Sequence, residues 1–277
     1  ADSEPGKITP LYMFYDALER YLDHTYSSVI FKAWENRRIN PDREENCFNV
    51  NVLKTLLLIK YVKEIKPNPG NIASLMVESI DDERMVLQKK VEGALNVLVN
   101  QMLVQKNGDS YIFLTNEEQE INRSIAQQPI EPSEITAEVS SLIFQDIYSE
   151  DKYSSNHLSG RYKFRFNQVV DDKMLRSNQN NDISVKIITP DSDESRDDNT
   201  LRISSSQQSA VLVVLPDDRA FIEEIRSAKQ IEKFLKSGAQ GVVNFNLIKE
   251  QKSVELRERK ENAKIYLEDA LAHAVIY

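Results

Sequence analysis

Residues 46–115 contain the pattern that most restricts the fold of this chain: three helical segments followed by a tight-turn signal. An apolar stretch over residues 52–62 predicts a helix that other elements surround, and a cluster of proline and glycine ends it. Asn71 then predicts the cap of a short helix over residues 72–77. A third helix is predicted over residues 83–104, because its apolar residues recur every three or four positions at Leu87, Val91, Leu95, Leu98 and Met102.

A β-hairpin is predicted directly after the third helix. Asn107 and Gly108 stand between two short segments of strand-forming residues, and an Asn-Gly pair readily adopts the two positive φ angles of a tight turn. Helix, short helix, helix and hairpin follow one another in the order of a winged helix-turn-helix. We therefore predict a winged-helix domain over residues 46–128, preceded by a helical connector over residues 1–45.

The next segment is predicted to be helical and hinged. Thr115 and Glu118 have the spacing of a capping box, in which each side chain accepts a backbone hydrogen bond at a helix start. Pro129 and Pro132 predict a hinge after that helix, and another helix follows. We predict a helical linker over residues 129–160.

Beyond residue 160 the periodicity changes from helix to strand. Tyr162, Phe164 and Phe166 alternate with polar residues, which predicts a strand with one aromatic face. Further strands are predicted over residues 183–188, 201–204 and 210–215. The last of these is apolar without alternation, which is typical of a strand covered on both faces. The polar segments between the strands are predicted to be mobile loops.

Two helices are predicted to close the sequence. Asp217 predicts the start of an amphipathic helix that ends near Gly238, and a charged helix runs from about residue 247 to the last residue. We therefore predict a mostly antiparallel α/β sheet module over residues 161–240 and a long charged helix over residues 241–277. The fold class predicted for the whole chain is α+β.

Composition excludes several kinds of site. Cys47 is the single cysteine, so the chain cannot form an internal disulfide or a cysteine-rich zinc site, and its three histidines are far apart in sequence. None of the seven glycines falls in a GxxxxGK[ST] or GxGxxG pattern, so we predict no phosphate-binding loop, no cofactor or metal site and no catalytic residue. The longest apolar run is too short to cross a bilayer, and we expect a cytoplasmic protein without membrane contact. The first residue is Ala1, and we expect a piece of a longer protein.

The distribution of charge bears on two possible functions of the predicted winged helix, DNA binding and protein docking. Arg84, Lys89, Lys90 and Lys106 are the candidate contacts to the phosphates of double-stranded DNA. The chain has a net charge of -9, and acidic residues interrupt these cations, so that residues 46–115 have 8 basic and 7 acidic residues. Phosphate binding requires denser Lys and Arg. The charge therefore favours protein docking over DNA binding, and both functions stay open at this point.

Two carboxylate patterns give more remote alternatives. Residues 211–218 look like a Walker B strand, but no glycine-rich loop accompanies them, and Asp217 and Asp218 more simply cap the following helix. Asp217 with Glu250 and Lys252 has the residue types of a metal-dependent nuclease. A nuclease is therefore a remote alternative to an interaction module.

Residues 53–62, 71–75 and above all 111–121 resemble a stretch of the large P-loop ATPases of BREX phage-defence systems, the BrxC/PglY family. The sequence FLTNEEQ within the last range is the most specific part of this resemblance. The resemblance is firmest over about residues 50–125 and looser from residue 162 to residue 217.

The resemblance implies a large cytoplasmic ATPase that works with other BREX proteins to block phage replication and to mark host DNA. It implies that ATP and Mg²⁺ bind in an N-terminal ATPase region outside this chain. It assigns no catalytic residue here, because the matching motifs are not nucleotide ligands. We therefore expect a non-catalytic fragment that docks partner proteins and relays conformational change.

Overall fold

The computed structural model describes residues 6–154, 162–237 and 245–277. The chain divides into two compact units, residues 1–124 and residues 125–277. Each unit has an apolar core of its own. We describe the two units separately.

The first unit consists of helices followed by one hairpin. Its elements are α1 (Met13–Leu18), α2 (His24–Glu35), α3 (Phe48–Ile59), α4 (Pro69–Leu75), α5 (Arg84–Asn100), β1 (Val104–Asn107) and β2 (Ser110–Phe113). A single 3₁₀ turn, Glu19–Tyr21, follows α1, and α6 (Asn116–Ala126) begins after β2.

Helix, short helix, helix and hairpin occur in the predicted order as α3, α4, α5 and β1–β2. The boundaries differ from the prediction at α4, whose cap is Asn68 and not Asn71. The Asn68 side chain accepts a hydrogen bond from the Asn71 backbone N–H at 2.8 Å, and Pro69 begins the helix. Proline suits the first turn of a helix, because the N–H that it lacks would have no helical partner there. The winged helix-turn-helix assignment itself stays a prediction.

The hairpin turn lies one residue later than predicted. Asn107 pairs with Ser110 as the last residue of β1, so the two turn residues are Gly108 and Asp109. Gly108 has a φ of +58°, which glycine adopts without strain, whereas Asn107 is not among the described residues with positive φ. The register of the hairpin therefore decides which residues turn, and the Asn-Gly pair does not form the turn together.

The core of the first unit packs around α3. Leu53 and Leu56 of α3 are buried together with Leu95 of α5 and Phe113 of β2. Tyr15 of α1 belongs to the same core, so the segment predicted as a connector contributes to it. One side of α5 packs against α3 and α4, and its other side faces solvent.

The capping box predicted before α6 is confirmed. The Thr115 hydroxyl accepts a hydrogen bond from the Glu118 backbone N–H at 3.3 Å, and the Glu118 carboxylate accepts one from the Thr115 N–H at 2.8 Å. The same carboxylate forms an ion pair with Lys60 at 2.5 Å, at the end of α3. Because the Lys60 side chain is almost fully buried, this pair ties the start of α6 to the core of the first unit.

The second unit combines helices with two sheets. Its elements are α7 (Pro132–Ser141), β3 (Lys152–Ser154), β4 (Lys163–Arg165), β5 (Asn167–Val170), β6 (Lys173–Met174), β7 (Ser184–Ile188), α8 (Asp198–Gln208), β8 (Ala210–Val214), α9 (Ala220–Ser237), α10 (Phe245–Ala272) and β9 (Val275–Ile276). A π-helical turn, Leu142–Ile147, continues α7.

The main sheet has five described strands in the order β6-β5-β7-β8-β9. Its three central strands, β5, β7 and β8, are parallel, and the edge strands β6 and β9 are antiparallel to their neighbours. The prediction of a mostly antiparallel module is therefore wrong, and the sheet is mixed. The physical reason is that β7 and β8 are joined through α8, a crossover that parallel strands require and hairpins do not.

Two local predictions in this unit are also wrong. Leu201 lies in α8 and not in a strand over residues 201–204, because the Asp197 carboxylate accepts the Thr200 N–H at 3.0 Å and caps a helix there. The last helix ends at Ala272, and a short strand, β9, follows it. The Tyr277 N–H and C=O both bond to Leu212 of β8, at 2.9 and 3.0 Å. Backbone pairing with β8 thus replaces the helix at the chain end.

The two faces of the sheet carry different layers. Ile188, Ala210, Leu212 and Val214 lie on one face, where Leu201 of α8 packs against them. The other face carries Ile187, which packs with residues of α7, α9 and α10. Helices on both faces are the usual cover of parallel strands.

A polar network fixes the loops at the carboxyl edge of the parallel strands. The Asp171 carboxylate accepts hydrogen bonds from the N–H and the hydroxyl of Thr189, at 2.9 and 3.0 Å. Lys186 of β7 is buried and forms ion pairs with Asp172 and Glu194. Burial by itself lowers the pKa of Lys186, but its hydrogen bonds to the two carboxylates outweigh burial, and the pKa lies above its ordinary value. The polar loops predicted to be mobile are therefore anchored to the strands.

Removing the Thr115 hydroxyl tests the capping box. We expect Thr115→Ala to lower the free energy of unfolding by about 1 kcal/mol, because the Glu118 N–H loses its acceptor. Trp34, the single tryptophan, lies in the first unit, so its fluorescence during urea unfolding measures this change. Thr115→Ser is the matched control and should unfold like the original chain. An alanine variant as stable as the serine variant would contradict this account of the cap.

Asp171 gives a prediction on pH. Burial raises the pKa of this carboxyl above its ordinary value, and the residue has a φ of +52°, which asparagine also tolerates. The unfolded chain therefore ionises at a lower pH than the native state does. As pH rises from the ordinary carboxyl pKa to the raised pKa of Asp171, the native state loses stability, because its carboxyl group has to ionise in a buried position. We expect Asp171→Asn to be more stable than the original chain at about pH 8 and to lose that advantage on acidification.

The measurement is urea unfolding at several pH values, followed by far-UV circular dichroism, with Trp34 fluorescence separating the first unit from the second. Asp182→Asn, at an exposed carboxylate, is the control and should leave the pH dependence unchanged. A stability difference for Asp171→Asn that stays constant with pH would show that the charge of Asp171 does not matter.

Candidate functional site

The four predicted DNA contacts all lie on the surface of the first unit. Arg84 is the first residue of α5, Lys89 and Lys90 follow on the same helix, and Lys106 lies on β1. The Lys90 ammonium lies 4.2 Å from the ring centroid of Phe48, a cation–π contact within the protein. The structure therefore places three of the cations on one helix and engages one of them internally.

Two of the acidic residues that interrupt these cations in sequence, Asp82 and Glu92, accept hydrogen bonds from donors of the protein itself. The Asp82 carboxylate accepts the N–H groups of Glu78 and Ser79, at 2.8 and 3.0 Å, and these hydrogen bonds lower its pKa. Glu92 accepts a hydrogen bond from the Gln88 amide at 3.0 Å. Local hydrogen bonds therefore fix the positions of these two carboxylates.

The exposed positions of α5 include no acidic side chain. They are Arg84, Met85, Val86, Lys89, Lys90, Gly93, Asn96 and Asn100. Gly93 lies in the middle of the helix, where glycine costs about 1 kcal/mol relative to alanine. A Cβ added at Gly93 would meet no atom within 4 Å. The described residues therefore give no internal reason for glycine at this position.

An apolar concavity lies in the second unit, on the face of the sheet that carries Ile187. It is a groove of about 850 Å³ lined by Ile143, Phe144, Ile147, Tyr148, Tyr153, Phe164, Arg165, Phe166, Ile183, Val185, Ile187, Val211, Val213, Leu271 and Ile276. We call this the apolar groove. Its volume is in the range of protein sites that bind ligands or side chains of a partner.

The floor of the apolar groove is formed by the strands. Val185 of β7 lies opposite Val211 of β8, and both point to the same face because paired residues share a side of the sheet. The helical layer covers Ile187, further along β7, but leaves Val211 40% exposed. Ile183, just before β7, is also 40% exposed. The apolar face is thus open at the amino ends of the strands.

The β3–β4 hairpin forms one wall of the groove. Tyr153 pairs with Phe164 across the two strands, and both line the groove although they are 56% and 44% exposed. Phe166 follows on the same face as Phe164 and lies 6.4 Å from the ring of Tyr148. The single strand predicted here is interrupted at Phe166, because β4 ends at Arg165 and β5 begins at Asn167.

Arg165 is the single charged residue in this lining. Its side chain is exposed, and the described parts of the chain place no carboxylate in an ion pair with it. Lys152 pairs with Arg165 across the hairpin, so two cations stand opposite one another. Like charges in directly opposed positions destabilise a strand pair.

The groove was not predicted from sequence, although one signal pointed to it. The stretch over residues 210–215 has the apolar pattern of a strand covered on both faces. In the structure Leu212 is buried, but Val211, on the opposite face, is not. The apolar sequence of this strand predicts burial on both faces, whereas Val211 is exposed, and this difference marks the position of the groove. It can be recognised only once the positions of the helices on the two faces of the sheet are known.

The carboxylates proposed for metal chemistry do not form a cluster. Within residues 6–154, 162–237 and 245–277 no group of three or more His, Cys, Asp or Glu side chains could hold a metal ion. Asp218 accepts the Ala220 N–H at 2.9 Å, which confirms its predicted capping role at α9. Lys252 donates a hydrogen bond to Glu255 at 2.7 Å. The nuclease alternative has no support from these residues.

Comparisons with known proteins agree with the sequence resemblance. A sequence model of the family described as BREX ATP-binding protein BrxC 4th domain with six-stranded beta sheet matches residues 128–277, more than half of the chain. This is the half in which the resemblance was looser. No solved structure matches the chain. Among the described helices, none is long and apolar enough to span a membrane.

The described part of this range has a five-stranded sheet, β6-β5-β7-β8-β9, and a separate two-stranded sheet, β3-β4. The family model itself covers more than half of the chain. The chain therefore belongs to the BREX ATP-binding protein BrxC family.

Proposed function

We propose that this chain is a non-catalytic interaction module of the BREX ATP-binding protein and docks partner proteins of the same defence system. The observation that supports this proposal is the apolar groove in the second unit, the part of the chain that matches the family. Soluble proteins rarely leave large contiguous apolar surfaces open, and those that do generally bind a partner there.

Burial of the groove side chains supplies the energy for such docking. Tyr153, Phe164 and Val211 are each about half exposed, and covering an apolar side chain of this size contributes about 1.5–3 kcal/mol when it is buried fully. Several such side chains together suffice for a specific contact, even after the entropy lost on association is subtracted. The strands beneath hold the groove in place, so that its shape does not have to form on binding.

We further propose that the chain relays conformational change from the region that binds ATP, since its own sequence has no nucleotide-binding motif. The chain has no glycine-rich phosphate-binding loop, whereas the family is named for ATP binding. In this proposal nucleotide chemistry belongs to another region of the protein. The groove then transmits the state of that region by gaining or losing a partner.

A double substitution in the hairpin wall tests docking. We expect Tyr153→Ser with Phe164→Ser to weaken binding of the partner BREX proteins at least about tenfold, since each aromatic ring contributes more than 1 kcal/mol. Both residues are exposed, so the unfolding of the chain should change little. The measurement is the affinity of the purified full chain for each of the other BREX proteins by calorimetry.

Ile203→Ser is the matched control. Ile203 is an exposed apolar residue on α8, which covers the other face of the sheet, and its loss should not affect binding. Equal binding by the double variant, the control and the original chain would contradict docking through the groove.

The outward face of α5 supports a second candidate function, the binding of double-stranded DNA. Arg84 and Lys89 are exposed, and neither takes part in an ion pair in the described segments of the chain. Asn96 and Gly93 follow on the same helix, and asparagine can pair with adenine in the major groove. A glycine without an internal role is suited to close approach by another molecule.

Gly93→Ala separates this candidate from a purely structural role of α5. We expect the alanine variant to be more stable than the original chain by up to about 1 kcal/mol in urea unfolding, and to bind a DNA duplex more weakly. Lys89→Ala should weaken binding and reduce the slope of log affinity against log salt by about 1, as one lost phosphate contact does.

Lys63→Ala, at an exposed cation outside α5, is the control and should leave binding unchanged. Fluorescence anisotropy of a labelled duplex at several salt concentrations measures these effects. No binding at low salt, or binding that does not change with salt, would contradict the DNA candidate.

A further inference from the structure

We infer that a cavity at the carboxyl edge of the parallel strands binds a small metabolite that has both an anionic group and a hydroxyl or amine group. This inference goes beyond the docking function and does not depend on it. It is carried by the position of the cavity in the sheet, by the acceptor positions of Asp171 and by the guanidinium of Arg226.

The cavity lies in the second unit, where α7 and α9 meet the ends of β5 and β7. Its volume is about 260 Å³, and its polar lining includes Asp171, Thr189 and Arg226. We call it the edge cavity. Ligand sites usually begin at about 300 Å³, so the edge cavity suits a molecule of the size of a single amino acid.

The position of the edge cavity in the sheet favours a ligand site. Asp171 follows β5 and Thr189 follows β7, and both lie at the same edge because these strands are parallel. The helix after β7 is α8, on one face of the sheet, whereas the helix after β8 is α9, on the other face. In open α/β sheets ligands bind outside the carboxyl ends of the strands, where successive connections leave toward opposite faces. Both connections contribute to the lining of the edge cavity, through Thr189 after β7 and Ile222 after β8.

The Asp171 carboxylate supplies acceptors for hydrogen bonds from a ligand. A carboxylate has about four acceptor positions. Asp171 uses one for the Thr189 N–H and one for the Thr189 hydroxyl. A second carboxylate in the lining, that of Asp191, is already paired with Arg219 at 3.2 Å. The remaining acceptor positions of Asp171 favour a ligand whose hydroxyl or amine donates a hydrogen bond.

Arg226 of α9 supplies a positive charge to the same cavity. Its side chain is exposed, and within the described ranges it forms no ion pair, either with Asp171 or with Asp191. A guanidinium binds a carboxylate or a phosphate through two parallel hydrogen bonds. The same charge repels a metal cation, so this lining is better suited to an organic anion than to a metal ion.

Apolar side chains complete the lining. Ile135 and Val139 of α7 and Ile222 of α9 are buried members of the core of the second unit. Their packing in that core holds the cavity in shape before a ligand binds, which reduces the entropy lost on binding. A short carbon skeleton can contact these side chains while its two polar ends reach Asp171 and Arg226.

Calorimetric titration of the purified full chain tests this inference with two probes, glycerol 3-phosphate and L-serine. Each probe joins an anionic group to a hydroxyl or amine over a few carbon atoms, and the two differ in whether the anion is a phosphate or a carboxylate. We expect at least one of them to bind with a Kd below about 10 mM. The probe that binds identifies the kind of anion that Arg226 accepts.

Substitutions in the edge cavity test its residues. We expect Arg226→Gln to weaken binding at least about tenfold, because the charge-assisted pair is lost. Asp171→Asn should weaken binding about threefold or more, because an amide has fewer acceptor positions. Thr136→Phe, which adds a ring to the lining, should abolish binding. Arg202→Gln, at an exposed cation on α8, is the matched control for Arg226→Gln and should bind like the original chain. Far-UV circular dichroism confirms that each variant is folded.

The outcomes separate this inference from the docking function. No binding of either probe at about 10 mM overturns it, and so does binding that Arg226→Gln and Thr136→Phe leave unchanged. Binding that responds to Arg226→Gln but not to Asp171→Asn overturns the role of the Asp171 carboxylate. The hairpin double variant at Tyr153 and Phe164 should bind the probes like the original chain, because neither residue lines the edge cavity. A failure of docking therefore leaves this inference standing, and the reverse also holds.

Discussion

The parallel pairing of β7 with β8 is the constraint on which the second unit depends. Its register sets Val185 opposite Val211 and Lys186 opposite Leu212. Because side chains alternate between faces, a shift by one residue would move every apolar side chain to the wrong side. In the observed register Lys186 lies on the α8 side, where Asp172 and Glu194 pair with it. The same register places Val185 and Val211 on the floor of the apolar groove.

The groove follows from how far the helical layer extends along these strands. Residues of α7, α9 and α10 cover the face around Ile187, and the aromatic hairpin stands at the amino ends of the strands. Between these two walls the apolar face has no cover from the described residues. A chain whose strands have the sequence of a fully covered sheet therefore presents an open face, and a partner that supplies the missing cover gains the hydrophobic contribution.

Local signals predicted much of the first unit. The spacing from Leu87 to Leu98 predicted α5, and Thr115 with Glu118 predicted the start of α6, because both depend on residues close in sequence. The turn at Gly108 was misplaced by one residue, because strand register and not the local pair decides it. Sequence and structure agree where a few neighbouring residues fix the geometry.

Non-local pairing explains what the sequence did not predict in the second unit. A strand was predicted over residues 201–204, but the cap at Asp197 makes this segment a helix. The parallel order of the strands and the short strand at the chain end depend on partners far away in sequence. The groove was missed for the same reason, since Tyr153 and Phe164 meet only through the register of their hairpin. The family assignment needed none of this geometry, because it rests on sequence.

Hydroxyl-radical footprinting of the chain alone and within the assembled BREX proteins tests the central claim most directly. If the groove is the docking site, Tyr148, Tyr153 and Phe164 lose labelling in the assembly, while exposed apolar side chains elsewhere in the second unit, such as Ile203, are labelled equally in both states. Equal labelling of the three aromatic residues in the free and assembled chain would contradict the account.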